Sequence, residues 1–251
     1  NGGQAEDYQG WDLLRVPGVH KIGIPTLSGT GAEATRTCVL TNEATGLKLG
    51  MNSHFTVFDQ LILDPSLTRT VPRSQYFFTG MDAYIHSFEA LAGSYRNAIG
   101  DALSSQAIKL AREVFEDENM QHDNNREKLM VASYLGGSAI ATSYVGLVHP
   151  FSAGLSVVFG MHHCKANCVA MKGMEEYYPD EYSDFMRLVA KQSIDLGKLT
   201  NNIGSLDSGT HDQLYKATII HEKPLMNALG ESFKEKLDRQ TVREIFERML
   251  Q

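Results

Sequence analysis

Hydrophobic and polar positions follow two different rhythms along the chain. Up to about residue 70 the apolar residues come in short runs. Residues 19–27 (VHKIGIPTL), interrupted near their end by Pro25, and residues 56–63 (TVFDQLIL), closed by Asp64-Pro65, each predict a short strand. Asp64-Pro65-Ser66-Leu67 then has the turn chemistry that launches a helix. After Val71-Pro72 the spacing becomes helical, over 74–93, 97–117, 125–145 and 180–197. A polar connector (DENMQHDNN, Asp117 to Asn125) and a loop (LTNNIGSLDSGT, 199–210) separate these stretches, and amphipathic helices are predicted over 211–251. The expected organisation is an α/β plus all-α chain: a partial α/β unit at 1–70, an all-helical unit at 71–251, and an active site between them. No internal repeat is present.

Directly after the first predicted strand stands Ser28-Gly29-Thr30-Gly31-Ala32-Glu33-Ala34, which fits G-x-G-x-x-A. If it opens a helix, its backbone amides are aimed at a phosphate. No acidic residue stands about 20 positions later to bind a ribose, so an ordinary dinucleotide fold is not supported. On its own, the motif reads equally as a tight turn that needs glycine dihedrals, and that plainer reading is preferred.

The chain's 251 residues with 42% hydrophobic content suffice for a buried core. A formal net charge of −7 argues against nucleic-acid backbones and anionic membrane surfaces as partners and leaves small molecules. Cys38, Cys164 and Cys168 form no disulfide framework, which fits a reducing compartment, so a cytoplasmic location is expected. Neither a membrane span nor a signal peptide is predicted. The chain opens on Asn1-Gly2-Gly3 without a methionine, and further residues upstream are expected.

Candidate chemistry concentrates in two histidine-bearing segments. Asp82 and His86, at i and i+4 in GMDAYIHSFEAL, project from one helical face and can reach a single cation. His149 and His163, fourteen apart in VHPFSAGLSVVFGMHH, would complete the set. Three imidazoles and one carboxylate suit Zn²⁺ or Fe²⁺ better than Ca²⁺ or Mg²⁺. Against this stand the nine histidines of the chain, which make accidental pairs common, and the tendency of D-x-x-x-H on a helix to be an exposed ion pair.

Read together, IGIPTLSGTGAEATR, FDQLILDPSL, FTGMDAYIHSFEAL and the VH…HHCKANC segment resemble the iron-containing (group III) alcohol dehydrogenase family over nearly the whole chain. The resemblance implies a dehydroquinate synthase-like fold, with a nucleotide-binding α/β domain followed by a helical metal-binding domain. It implies that Asp82, His86, His149 and His163 ligate a divalent metal. It also places Thr26, Ser28 and Thr30 near the phosphates and nicotinamide of NAD(P), with Lys48 and Leu67 lining the nucleotide cleft. The implied activity is oxidation of a primary alcohol to an aldehyde, in a homodimer. YQGWDLL, TGMDAYIH and the paired histidines before Cys164 resemble the 3-deoxy-manno-octulosonate (Kdo) 8-oxidase branch, which acts on the C8 hydroxyl of a sugar acid in lipopolysaccharide biosynthesis. NAD(P)-dependent primary-alcohol dehydrogenase is the alternative. The chain departs from the family twice: a G-G-G-S loop is absent, and Ala153 stands where a further histidine is usual.

The remaining candidates receive plainer expectations. His162 is expected beside the ligands or in the core, Cys164 and Cys168 as small buried residues, and Phe77, Phe78 and Met81 as packing. Glu89, seven after Asp82, could orient a metal-bound imidazole, but a solvent-facing or helix-pairing role is preferred. His20, His54, His122 and His211 carry no assignment, and His221 is placed near the cleft. For a sugar acid, Arg36, Arg96 or Lys165 could supply the cation.

Overall fold

The computed structural model describes all 251 residues. All strands precede residue 62 and all α-helices follow residue 72. The two predicted strand runs do pair with each other in parallel, but over only two residues each, β2 (Ile22–Gly23) with β5 (Gln60–Leu61). Each has a single neighbour, and Pro25 offers no amide to extend the ladder. Ile22, Ile24 and Ile62 stay about half exposed.

A second sheet was not anticipated. β1 (Gly10–Trp11) runs parallel to β4 (Lys48–Asn52), which pairs antiparallel with β3 (Thr37–Thr41). The β3–β4 hairpin is set by its turn: Asn42 Oδ1 accepts the amides of Ala44 and Thr45, and Gly46 takes φ 69°.

The core belongs to the helices. Its buried apolar cluster runs from Tyr76 to Met249 with no member from the strand region. At its centre lies α1 (Arg73–Ala92), buried without a break from Tyr76 to Ala90. α2 (Ala98–Glu116) and α3 (Asp123–Ser143) pack on it and on each other. Phe77, Phe78 and Met81 are packing residues there, as expected. The segment between α3 and residue 179, which carried no helical assignment from its sequence, forms α4 (Val148–Phe159) and α5 (His163–Met171). The chain ends with α6 (Pro179–Lys191), α7 (Ser208–Ile219), α8 (Glu222–Leu229), α9 (Phe233–Lys236) and α10 (Arg239–Leu250). No single helix is long and apolar enough to cross a membrane.

The Gly-rich turn does not open a phosphate-binding helix. It continues into one three-residue 3₁₀ turn, and the amides of Gly29 and Gly31 are both taken by Ser133 Oγ of α3, at 2.7 and 3.2 Å. It is a docking turn that seats residues 28–34 on α1 and α3, which supports the tight-turn reading. Trp11 makes a second link between the strand region and the helices, with Lys223 Nζ of α8 held 3.4 Å from its ring centroid.

Candidate metal centre

Because α1 is buried on every side, Asp82 and His86 have no route to solvent, and both face α4 and α5. Asp82 is 0% exposed and His86 4%. His149, at the second position of α4, and His163, at the first of α5, approach from across the interface. His86 Nε2 lies 3.5 Å and His149 Nε2 3.4 Å from Asp82 Oδ1, while His163 Nε2 lies 3.7 Å from Asp82 Oδ2. Ligands bound about 2.1 Å from one tetrahedral ion stand about 3.4 Å apart, so these edges fit a first-row divalent cation. The Asp82, His86 and His149 donor atoms lie within 4.8 Å of one another, and His163, with 31% of its side chain exposed, forms the open side. The rings of His86 and His149 stack at 4.6 Å.

Protonation in the metal-free protein follows from burial and charge. Burial would raise the Asp82 carboxyl, but the three imidazoles outweigh it and hold the group far below the carboxylate range. Burial pushes His86 down to about 4 and His163 down to about 3, so both are neutral near pH 7. His149 is the exception: burial would lower it too, yet the carboxylates of Glu89 and Asp82 raise it to about 9.

Glu89 overturns the preference for a solvent-facing or helix-pairing role. It is 0% exposed; one carboxylate oxygen bonds His149 Nδ1 and the other accepts the Val148 amide at 2.6 Å. That amide is one of the orphan donors of the α4 N-terminus, and the Leu147 amide beside it donates to Tyr178 Oη at 3.1 Å. One buried carboxylate therefore caps α4 and fixes the ring of its second residue, leaving His149 Nε2 to point at Asp82. Asn167, which sequence reasoning missed, is 0% exposed and donates to Asp82 Oδ1 at 2.5 Å. Its only sequence signal is its position four after His163, the same interval that joins Asp82 to His86.

The other candidates distribute as follows. Among the residues expected at a nucleotide, Thr26, Thr30 and Leu67 are exposed and Lys48 is half-buried, whereas Ser28 is 3% exposed with Oγ unpartnered. Burial lowers Lys48, and the nearby Cys164 and Asp82 act against this, which places its ammonium beside the donor set. His221 also approaches: burial, then the charges of His149 and Lys48, push it down to about 4. His162 is neither core nor beside the ligands but an exposed residue capping α5. Cys164 and Cys168 are buried, and burial raises both thiols. Arg36 pairs with Asp12 and Arg96 with Asp101, which leaves Lys48 nearer the site than any cation named from sequence.

A family profile described as "Fe-containing alcohol dehydrogenase family, C-terminal" matches residues 77–219, and one described as "Iron-containing alcohol dehydrogenase" matches residues 2–65. The chain is 33% identical over 173 residues to the NAD-dependent methanol dehydrogenase of Bacillus methanolicus, a match covering 68% of this chain and 45% of that protein. It is 34% identical over 167 residues to the sulfoacetaldehyde reductase of Bilophila wadsworthia, covering 65% and 43%. The chain thus spans about half the length of the curated relatives it matches. A crystal structure of 1,3-propanediol oxidoreductase superposes with TM-score 0.86 at 23% identity, over 99% of this chain and 71% of that one. That likeness bears out the expected dehydroquinate synthase-like fold, mixed α/β with mostly helical content. All four of Asp82, His86, His149 and His163 fall inside the longer profile match, which takes in more than half of the chain. The chain belongs to the iron-containing alcohol dehydrogenase family.

Proposed function

We propose that this chain carries the metal centre of an alcohol oxidoreductase that converts a primary alcohol to its aldehyde, with Asp82, His86, His149 and His163 as ligands and NAD(P) as electron acceptor. The observation that carries it is the convergence of three imidazole Nε2 atoms on one fully buried carboxylate at tetrahedral spacing. A divalent cation held there, Fe²⁺ or Zn²⁺, supplies Lewis-acid activation of a substrate hydroxyl. The protein's own contribution is placement: Glu89 holds the His149 ring, α1 and α5 exclude water from three sides, and the half-exposed His163 marks the face from which substrate enters. Lys48, Thr26, Thr30 and Leu67 would meet the nucleotide; the buried Ser28 would act through the turn.

A narrower reading is oxidation of the C8 hydroxyl of Kdo. What supports it is Lys48: a half-buried ammonium beside the donor set suits a substrate bearing a carboxylate, and the relative named for sulfoacetaldehyde also handles an acidic small molecule. Ala153, 9% exposed one turn after His149, leaves room where a larger side chain would narrow the site.

The test is elemental analysis of the purified protein, then assays of methanol, 1,3-propanediol and Kdo with NAD(P)⁺ or oxygen. About one Fe or Zn per chain with reduced nicotinamide from simple alcohols supports the dehydrogenase reading. Turnover of Kdo alone selects the sugar-acid reading. Absence of stoichiometric metal from protein and from His149→Ala alike would sink both. Glu89→Gln gives a graded check: metal affinity is expected to fall about 10–100-fold without loss of the fold, measured by chelator competition.

A further inference from the structure

Asn167 is the one fully buried polar side chain at the donor set to which the four-ligand reading gives no role. Its Nδ2 donates to Asp82 Oδ1 at 2.5 Å and lies 3.4 Å from His163 Nε2, with His149 Nε2 alongside at 3.3 Å. Its Oδ1 is buried without a partner. The other oxygen of Asp82 is approached by Cys164 Sγ at 3.7 Å. One face of α5 therefore directs an imidazole, a thiol and an amide at the same carboxylate of α1.

An amide nitrogen carries two N–H groups and no lone pair, so it can only donate. One N–H goes to Asp82. The other faces Nε2 of His163, which is neutral near pH 7 and offers a lone pair there. This is the lone pair an ion would use. Leaving Oδ1 unsatisfied in the interior is costly, and a leucine of similar volume would fill the space without that cost. Packing alone does not account for an asparagine at this position.

We propose that Asn167 is a positioning residue of the metal centre: its amide bridges Asp82 to His163 and holds these donors in ligand geometry before an ion binds. When the ion enters, the bond to Asp82 stays and the one to His163 is released. His163 is the outermost donor and belongs to a different helix from Asp82, so it is the ligand with most to gain from such a bridge. The inference rests on the four-ligand reading.

Asn167→Leu and Asn167→Ala separate this role from packing. In the purified protein, Zn²⁺ affinity by chelator competition is expected to fall about 10–100-fold in both variants. The visible absorption of bound Co²⁺ is expected to change shape, reporting altered coordination. Thermal unfolding of the metal-free protein should stay close to the parent in at least one variant, because alanine adds no bulk and leucine leaves no cavity. Parent-like Zn²⁺ affinity and Co²⁺ spectrum in Asn167→Leu would overturn the inference while leaving the four ligands in place. A parent protein that binds no stoichiometric ion, or a His149→Ala variant that binds as well as the parent, would overturn the metal centre and this inference together.

Discussion

Asp82→Ala is expected to weaken Zn²⁺ or Fe²⁺ binding by roughly two to three and a half orders of magnitude. Asp82 is the sole anion among the four donors and is fully buried. Removing one partner of a buried charge pair costs about 3–5 kcal/mol, and each 1.4 kcal/mol is about a factor of ten. Asp82→Asn keeps the shape but not the charge and should behave similarly. The effect exceeds that of Glu89→Gln because Glu89 acts through His149, whereas Asp82 meets the ion. The pH dependence has a definite sign. An ion needs a neutral imidazole, and the carboxylates beside His149 keep it protonated up to about pH 9 in the metal-free protein. Proton and ion therefore compete, so affinity should rise with pH, by at most about tenfold per unit for one displaced proton, and level off above about 9. Asp82→Ala removes one of the two carboxylates holding that proton, so its slope should be shallower. Chelator competition from pH 6 to 9 measures both effects. One tightly held ion per chain in Asp82→Ala would show that the carboxylate is no ligand.

Asp82 and His86 were legible in the sequence because the i, i+4 interval has one geometric meaning on a helix. His149 and His163 were legible only through resemblance, since nothing in a fourteen-residue interval says that α4 and α5 will turn back on α1. Glu89 was misjudged for a physical reason. The preferred reading assumed an amphipathic helix with a wet side, but α1 is central and every face from Tyr76 to Ala90 is inside. On such a helix an acidic residue must have a buried partner. Asn167 left almost no trace, because its partners come from three different helices. The β3–β4 hairpin escaped detection because Thr37, Cys38, Lys48 and Gly50 form no apolar run, and the turn at Asn42 and Gly46 does the pairing. α4 and α5 were obscured by Pro150, Gly154 and Gly160, residues that ordinarily interrupt helices. Pro150 falls in the first turn of α4, where its missing amide has no helical partner to lose. The fold class, by contrast, followed from a change of apolar period near Val71 that needs no long-range information.

Gly29→Ala is expected to cost about 3 kcal/mol or more, and so to lower the melting temperature by roughly 6–12 °C. A β-carbon on Gly29 would lie 1.8 Å from the carbonyl oxygen of Thr79 and 2.4 Å from its carbonyl carbon. Both are backbone atoms of α1, so no side chain can swing aside, and either the turn or the helix must move. The neighbouring contacts leave no slack: Gly31 sits at φ 57° with its α-carbon face against Gly137 of α3, and a β-carbon on Gly137 would meet the Gly31 carbonyl at 2.3 Å. Lifting the turn by the required ångström breaks the two amide bonds to Ser133. Thr79 precedes Asp82 by one helical turn, so a shift of α1 instead would reach the donor set. Thermal unfolding of Gly29→Ala beside Gly18→Ala measures the cost. Gly18 has nothing within 4 Å of a built β-carbon, and its variant should stay within about 0.5 kcal/mol of the parent. Equal melting temperatures for the two variants would mean that residues 28–34 are not seated on α1 and α3 in solution. A destabilised Gly29→Ala that also loses metal affinity would trace the strain into α1, whereas one that keeps its affinity would place it in the turn.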